Sequence, residues 1–368
     1  MYPSFDYKSY LKVSPPTMKI KEVIQYLETI APSSYQESYD NAGLIVGNAN
    51  WELAGTLICL DSTEAVIEEA IEKNCNLVIA HHPIVFKGLK RFNGKNYIER
   101  TVIKAIKADI AIYAIHTNLD NVYHNGVNAK IAERLGLKKT RILAPKKQLK
   151  KLFAFTPIEL SGVVKNALFK AGAGAVNQHS NISYTTIGVG TTDTHGEAIA
   201  KLEVHFPAAA ERNIITALEE VSATKEITYD ILPLENTLSF IGSGMIGVLP
   251  KSMNELAFMS FLRKAMRVSC IKHTVLLGRK IKTVAVCGGS GGFLLPQAIS
   301  QKADIFITAD YKYHEFFDAN EQLIIADIGH YESEQFTIEL LYGLLMQKFR
   351  NFAAQITETN TNPVQYFF

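Results

Sequence analysis

The chain has 368 residues, of which 47% are hydrophobic and 20% are charged, and its formal net charge at pH 7 is +2. This composition is typical of a globular protein and excludes an intrinsically disordered chain. The near-neutral charge does not indicate a nucleic-acid-binding surface, so we do not expect a nucleic-acid partner. The length predicts about two to three domains.

The four cysteines, Cys59, Cys75, Cys270 and Cys287, are not spaced as CxxC pairs, and two of them lie in apolar, strand-like segments. Free thiols of this kind are typical of a reducing compartment. The N-terminal residues lack the basic start and apolar stretch of a signal peptide. No run approaches the length of about 18 apolar residues that a membrane span needs. We therefore expect a cytoplasmic protein without a membrane partner.

The first third of the chain alternates between amphipathic helices and short apolar strands. Apolar side chains recur at helical spacing in several segments, and Thr63 followed by Glu64 is typical of a helix start. The predicted helices cover residues 17–30, 64–73, 98–106 and 127–135, and the predicted strands cover residues 56–60, 77–80 and 110–115. Repeated alternation of strands and helices indicates a mostly parallel sheet covered by helices.

The last third repeats this order, whereas the middle reads differently. Strands are predicted at 283–287, 304–308 and 323–326, with helices at 294–301 and 336–345. The middle segment reads as strand, helix, two strands, helix and strand, which is the order of a ferredoxin-like α+β unit. The predicted fold is therefore α/β: residues 1–143 and 239–368 are two similar β/α halves of one metal-binding domain, interrupted by an insert at 144–238. The two ends of such an insert should lie close together in space.

Histidines and carboxylates follow the ends of three predicted strands. They are His81, His82, Asp120, His330 and Glu334. Open α/β sheets bind their ligands at the carboxyl ends of the strands, so these side chains are candidates for one site. Imidazole and carboxylate groups without thiolates suit Zn, Fe or Mn better than Ca or Mg. Five ligands suit two divalent ions that share a bridging carboxylate and activate water for hydrolysis.

Each cluster alone also has a simpler interpretation. Two adjacent histidines such as His81 and His82 can be polar residues of a surface loop. The four-residue spacing of His330 and Glu334 can be an ordinary ion pair on a helix. Asp120 can cap the helix that follows it. The metal hypothesis therefore requires that the three segments converge in space.

Further polar residues are candidates for the same cleft. Asp310 and His314 are four residues apart just after a predicted strand, and we expect them to transfer protons or to contact substrate. His116 is a further ligand, a residue that orients Asp120, or a core histidine. The glycine-rich segment 288–292 either holds an anion on its free amides or is a tight turn between strand and helix. The histidines of the middle segment lack ligand spacing and are interpreted as structural or surface residues: His179, His195 and His205.

Seven short motifs occur in order within residues 17–140 and 237–368: YDNAGLIVG, LDST, AHHP, HTNLD, VCGGSGG, TADYKYHE and GHYESE. As a set they resemble the GTP cyclohydrolase I type 2-like family, also called the NIF-three-like or dinuclear metal centre hexameric proteins. The resemblance implies that the metal ligands are His81, His82, Asp120, His330 and Glu334. It also implies a ring-shaped homohexamer with its metal sites facing an internal cavity, and a P-II-like or CutA-like domain in the middle segment.

Two functional hypotheses follow from these residues and from the resemblance. The first is a hydrolase that uses two divalent metal ions, Zn, Fe or Mn, and acts on a small molecule such as a nucleotide or a related heterocycle. Ring opening of GTP is suggested by the family's name alone, and a fold sets only a reaction class. The alternative is a non-catalytic, metal-stabilised hexameric ring whose middle segment senses a ligand or binds a partner.

Overall fold

The computed structural model of the chain describes residues 18–174, 181–191, 196–222, 227–349 and 353–367. The predicted helix start at Thr17 and the histidines His179 and His195 lie outside the described residues. None of the described helices is both long enough and apolar enough to cross a lipid bilayer.

The described residues form fifteen strands. They are β1 (Gly43–Val46), β2 (Thr56–Asp61), β3 (Leu77–His82), β4 (Ala111–Ala114), β5 (Lys138–Pro145), β6 (Leu149–Pro157), β7 (Ser183–Thr191), β8 (Gly196–Pro207), β9 (Thr228–Pro233), β10 (Gly242–Asn254), β11 (Lys272–His273), β12 (Lys280–Ser290), β13 (Ile305–Ala309), β14 (Ile324–Asp327) and β15 (Ala354–Ile356). The six strands predicted in the first and last thirds are present as β2, β3, β4, β12, β13 and β14.

Eleven α-helices occur in the same described ranges. They are α1 (Ile20–Ile30), α2 (Glu64–Glu72), α3 (Tyr97–Lys107), α4 (Thr117–Asp120), α5 (Val127–Arg134), α6 (Ser161–Lys170), α7 (Glu211–Ser222), α8 (Glu255–Ala265), α9 (Leu295–Ser300), α10 (His330–Glu334) and α11 (Thr337–Lys348). The predicted start of α2 is observed, because the Thr63 side chain accepts a hydrogen bond from the amide of Val66.

Two larger sheets each contain a run of parallel strands. The first sheet has the order β1-β4-β3-β2-β15, in which only β1 is antiparallel to its neighbour. The second sheet has the order β11-β14-β13-β12-β10-β5, in which β12, β13 and β14 are parallel. Strand β5 comes from the first part of the chain and joins the second sheet, while β15 comes from the last part and joins the first sheet. This exchange of strands, which the sequence analysis did not predict, ties the two parts together.

The parallel strands are apolar on both faces because each sheet is covered on both sides. In β2, Leu57 and Cys59 pack in a cluster with side chains of α2 and α3. The alternate residues Ile58 and Leu60 belong to a central core that also contains Val284 of β12 in the second sheet. The two sheets therefore share one core, and the ends of their strands lie near each other.

The middle of the chain forms a sheet of its own. Its strand order is β7-β8-β6-β9, all pairs are antiparallel, and α6 and α7 pack on one face around Leu152, Leu202 and Phe206. The elements follow one another as strand, helix, strand, strand, helix and strand. The chain leaves the second sheet at Pro145 and returns to it at Gly242, and these two residues are paired across β5 and β10.

Candidate metal centre

The carboxyl ends of the parallel strands of both large sheets border one cavity of about 800 Å³. In the first sheet, Asp61 ends β2 and His82 ends β3. In the second sheet, Asp310 directly follows β13 and Asp327 ends β14. All four residues line the cavity. It lies at the edge of the sheets where ligands bind in open α/β folds.

The adjacent histidines belong to β3 itself. We expected the pair to lie past the end of the strand, but β3 extends to His82, which pairs with Asp61 of β2. Neighbouring side chains of a strand point to opposite faces, yet the two rings lie beside each other at the end of β3, where His82 lines the cavity and His81 is buried next to it. The centroids of the rings of His81 and His82 are 4.8 Å apart. His81 is fully buried and His82 is partly exposed.

Glu334 lies at the centre of the histidine group. Its Oε2 atom is 3.0 Å from Nε2 of His82, 3.2 Å from Nε2 of His330 and 3.8 Å from Nε2 of His81. One potential ligand atom from each of His81, His82 and Glu334 lies within 4.8 Å of the others, so these three residues could hold a metal ion. His330 and Glu334 share α10, where their four-residue spacing places them on one face.

The carboxylate and the imidazoles change each other's protonation. Burial opposes the ionisation of Glu334, but hydrogen bonds from the histidines outweigh burial and hold its pKa well below the usual range. Burial opposes a charge on His82, yet hydrogen bonds to Asp61 and Glu334 raise its pKa to about 10. The same balance, with Asp310 in place of Asp61, raises the pKa of His330 to about 11. Without a cation, His82 and His330 therefore favour the protonated form beside the buried carboxylate.

The three histidines are oriented through their second ring nitrogens. Nδ1 of His81 donates to a backbone carbonyl oxygen just after β4, at 2.8 Å. Nδ1 of His82 donates to Asp61 at 2.7 Å, and Nδ1 of His330 donates to Asp310 at 2.6 Å. Partners of this kind fix the tautomer and leave Nε2 to face a metal ion, as in many metal sites.

The sequence analysis missed two carboxylates that support this group, Asp61 and Asp40. Nδ1 of His116 donates to the buried carboxylate of Asp40 at 2.7 Å. The His116 ring lines the cavity, and its centroid is 5.4 Å from those of both His81 and His82. It is therefore part of the site and not an isolated core histidine. Asp61 and Asp40 lie in the motifs LDST and YDNAGLIVG, which carry the family resemblance but gave neither residue a role. The local signal was a polar residue at a strand end or in a turn, which is common in loops.

Asp120 approaches the group from the side of the first sheet. It ends α4, and α5 begins instead after Gly126, so Asp120 does not cap α5. Its Oδ1 atom is 3.7 Å from Nε2 of His81, and both atoms are buried without a hydrogen-bond partner among the described residues. Burial, together with the nearby charge of Glu334, raises the pKa of Asp120 to about 7. A cation would satisfy both orphaned atoms, so the residues fit a metal ion.

The glycine-rich segment 288–292 lies against Glu334. Three of its amides donate hydrogen bonds to side chains: those of Gly288, Gly289 and Gly291, whose acceptors are Asn128, Ser333 and Thr308. These amides are therefore not free to hold an anion, which favours the tight-turn interpretation. Gly289 has a φ of +61°, and a Cβ built on it would lie 2.5 Å from Oε1 of Glu334. The glycine is needed because the backbone passes so close to the carboxylate.

The two residues predicted to transfer protons lie in different places. Asp310 lines the cavity, and its side chain is 48% exposed while its Oδ2 atom accepts the hydrogen bond from His330. His314 is exposed in the 3₁₀ helix Tyr313–Ala319, with its ring beside those of Tyr313 and Phe317. It is not one of the described residues that line the cavity. The fold brings Asp310 to the centre but leaves His314 outside it.

The chain after β15 forms one wall of the cavity. Glu69 anchors this segment, because its carboxylate accepts hydrogen bonds from residues 357–359. The Thr361 hydroxyl then donates to Oδ2 of Asp61 at 2.7 Å, while the other oxygen of Asp61 holds His82. The sequence analysis gave this segment no role. It supports the carboxylate that orients a candidate metal ligand.

The lining of the cavity is strongly acidic. Seven of the described residues that line it carry carboxylates: Glu37, Asp61, Asp120, Asp310, Asp327, Glu332 and Glu334. The same described lining contains one lysine, Lys272, and no arginine, and the Lys272 Nζ lies 2.5 Å from Asp327. Three aromatic side chains at the cavity, Tyr39, Phe86 and Phe293, are 62%, 45% and 62% exposed. This environment favours bound cations and opposes additional anions.

Comparison with known proteins places this fold and site in a family. The Duf34/NIF3 (NGG1p interacting factor 3) family matches residues 18–363. A Bacillus subtilis protein named GTP cyclohydrolase 1 type 2 homolog is 33% identical over 366 residues, which cover 94% of this chain and 98% of that protein. A Halalkalibacterium halodurans protein of the same name is 35% identical over 325 residues, which cover 84% of this chain and 87% of that protein.

Solved structures agree with these matches. The crystal structure of a Bacillus cereus protein related to NIF3 has a TM-score of 0.79 and 32% identity, and the alignment covers 96% of this chain and 100% of that one. A Staphylococcus aureus crystal structure has a TM-score of 0.78 and 30% identity, with the same coverage. The mixed α/β fold is thus that of NIF3-related structures, and the resemblance carried by the seven motifs is confirmed. This chain belongs to the Duf34/NIF3 family.

Proposed function

We propose that this protein is a hydrolase that depends on two divalent metal ions, Zn, Fe or Mn. The proposed ligands are His81, His82, Asp120, His330 and Glu334. One observation carries the proposal: Oε2 of the buried Glu334 lies among the Nε2 atoms of three histidines. A carboxylate in this position suits a bridge between two ions. When bound, such an ion pair supplies Lewis acidity and makes water a nucleophile near neutral pH.

The residues around the ligands hold the centre in its geometry. Asp61 and Asp310 each accept the Nδ1 hydrogen of a histidine, which keeps Nε2 directed at the centre. Asp310 is also the better candidate to carry a proton, because nearly half of its side chain is exposed in the cavity. The role of His314 in proton transfer stays a prediction without support from its position.

A nucleotide or a related heterocycle is the proposed substrate class. Two observations support it: relatives about one-third identical are named GTP cyclohydrolase 1 type 2 homolog, and exposed aromatic rings border the cavity. Flat rings can stack on such side chains. Hydrolytic ring opening is the corresponding reaction.

The test uses protein that is stripped with a chelator and reloaded with Zn, Mn or Fe. We expect two ions per chain by elemental analysis, and turnover of a member of a panel of nucleotides, nucleosides and phosphoesters. Glu334→Gln should lose both metal and turnover, because an amide cannot replace the bridging carboxylate. Glu72→Gln, on the exposed surface of α2, is the control and should keep both. Two bound ions without turnover on any compound and with any of the metals would contradict the proposal.

We further propose that residues 144–238 are a ferredoxin-like module, similar to P-II-like or CutA-like domains, inserted between two similar halves of the metal-binding domain at 1–143 and 239–368. The separate antiparallel sheet of this segment supports the proposal, as does the pairing of Pro145 with Gly242 where the segment begins and ends. A chain with a short linker in place of residues 147–236 should then fold and bind the same amount of metal. Loss of both would contradict an independent module.

The assembly proposed from the family resemblance is a homohexamer. A non-catalytic hexameric ring that senses a ligand or binds a partner is the second candidate function, and one observation favours it. The outer strand β7 exposes apolar side chains, with Tyr184, Ile187 and Val189 at 62%, 64% and 76% exposure, as an interaction surface would. His330→Ala separates the candidates. Loss of the hexamer, measured by light scattering, with no turnover in the wild type would favour the ring, whereas a stable hexamer that loses turnover would favour the enzyme.

A further inference from the structure

Among the described residues, the lining of the cavity has no arginine and no unpaired lysine with which to hold a polyphosphate. Free backbone amides in a glycine-rich turn, arginines and lysines are the common partners of phosphate oxygens. Here three amides of the segment 288–292 are engaged by side chains of the protein itself. The one lysine in the described lining, Lys272, is already paired with Asp327.

The charges of the lining also oppose the binding of a polyphosphate. Among the described lining residues, seven carry carboxylates and one is a lysine, and Lys146 pairs with Glu37 from behind the lining. Two bound divalent ions, which supply about four positive charges, still leave a net negative charge. The buried Asp40 beside His116 adds a further carboxylate just behind the lining. Phosphates that extend beyond the metal ions would therefore approach a net negative lining whose two nearby lysines, Lys272 and Lys146, are already paired with carboxylates. This approach is unfavourable where water is partly excluded.

The aromatic side chains indicate which kind of ligand the cavity favours. Tyr39 and Phe86 form a ring pair with centroids 6.2 Å apart, and Phe86 also lies 6.3 Å from the His116 ring. Phe293 reaches the cavity from the second sheet, just past β12. Large aromatic surfaces left exposed at a cavity are suited to stacking with a flat ligand.

We propose that the cavity binds a flat, ring-bearing molecule with at most one negative charge, such as a free heterocycle or a nucleoside, and rejects nucleoside triphosphates. This inference rests on the proposed metal centre and narrows its substrate class. The proposal concerns ligand binding alone, so it does not depend on turnover.

Guanosine and GTP are a matched pair of probes, because they differ only in the phosphates. Binding of each to the metal-loaded full chain is measured by isothermal titration calorimetry, and bound metal is measured after each titration to show that GTP has not removed it. We expect guanosine to bind and GTP to bind at least about tenfold more weakly. GTP that binds as tightly as guanosine, or guanosine that does not bind at millimolar concentration, overturns the proposal.

Separate variants test the stacking on aromatic side chains and the repulsion of phosphates by the acidic lining. Phe86→Ala should weaken guanosine binding by about tenfold, whereas Phe92→Ala, an exposed aromatic that is not one of the described residues lining the cavity, should leave it unchanged. Glu332→Gln removes one negative charge from the lining without changing a proposed metal ligand. It should reduce the difference in affinity between guanosine and GTP. An unchanged difference in affinity would refute the proposed repulsion of phosphates by the lining. Absence of turnover would sink the proposed hydrolase but leave these binding results in force.

Discussion

Replacing Gly289 by alanine would disturb the metal centre through a single atom. A Cβ at this position would lie 2.5 Å from Oε1 of Glu334 and 3.2 Å from Cε1 of His330. Real Cβ atoms do not approach other atoms so closely, so something must shift. The carboxylate cannot turn away freely, because His82 and His330 contact its other oxygen. We therefore expect Glu334 to leave its position among the histidines.

Gly289→Ala should have two effects, one on the stability of the fold and one on metal affinity. The φ of +61° at Gly289 costs an alanine about 1 kcal/mol of stability. Displacing the central carboxylate should weaken metal binding by about 10- to 100-fold or more, since disturbing only the partners of metal ligands has effects of that order. The first part is backbone strain, and only the second concerns the site.

Gly136→Ala is the matched control because it separates these two parts. Gly136 has a φ of +64°, nearly that of Gly289, but a Cβ on it would have no atom within 4 Å. It bears the same backbone strain without a clash. We expect both variants to lose similar stability from strain and only Gly289→Ala to lose metal affinity.

The assay is a competition titration of chelator-stripped protein with Zn²⁺, in parallel with thermal unfolding of each variant. The expected result is a weaker Zn²⁺ affinity for Gly289→Ala and a wild-type affinity for Gly136→Ala. A folded Gly289→Ala protein with wild-type Zn²⁺ affinity would refute the reasoning. An equal loss of affinity in Gly136→Ala would also refute it, because strain alone would then explain the effect.

Three further results are expected. Asp61→Asn should weaken metal binding by about 10- to 100-fold with little change in folding, because the amide no longer orients His82 as a carboxylate does. Metal titration measures the affinity and circular dichroism measures the folding. An unchanged metal affinity would contradict this role of Asp61. Metal binding at pH 7 should release about two to three protons, because pKa values of about 10 and about 11 keep His82 and His330 protonated without metal, and a pKa of about 7 leaves Asp120 partly protonated. Metal affinity should therefore fall as the pH is lowered. Calorimetry in buffers of different ionisation enthalpy measures this release, and a heat that does not depend on the buffer would rule it out. Asp310→Asn should lower turnover at saturating metal while His314→Ala leaves it unchanged, and the opposite pattern would restore His314 as the proton carrier.

The sequence was most informative where structure follows from local patterns. The apolar runs predicted β2, β3 and β14 to within about two residues, because buried parallel strands need apolar side chains on both faces. For a related reason, residues that follow the predicted strands at 77–80 and 323–326 were predicted to be metal ligands: His81, His82 and His330. A polar side chain directly after a buried strand must face the edge of the sheet.

Contacts between distant segments left much weaker signals. Asp40 and Asp61 hold His116 and His82 across separations of 76 and 21 residues, and nothing in either segment indicates the partner. His314 shows the opposite case, because it has the favourable four-residue spacing from Asp310 but is exposed and is not one of the described residues that line the cavity. Spacing along the chain predicts neighbours only inside a regular helix, and His314 lies in a 3₁₀ helix that begins after Asp310.

Residue type and local order were enough to predict the class of the fold, the two groups of parallel strands and the chemical nature of the candidate ligands, because burial and ligand chemistry depend on them. The exchange of β5 and β15 between the sheets is apparent only in the folded chain, as is the position of Glu334 among His81, His82 and His330. The tertiary structure also brings side chains of the protein against three amides of the glycine segment, those of Gly288, Gly289 and Gly291. These features are pairings between residues far apart in the chain, and such pairings are settled by how the sheets pack and by which buried polar groups must find partners.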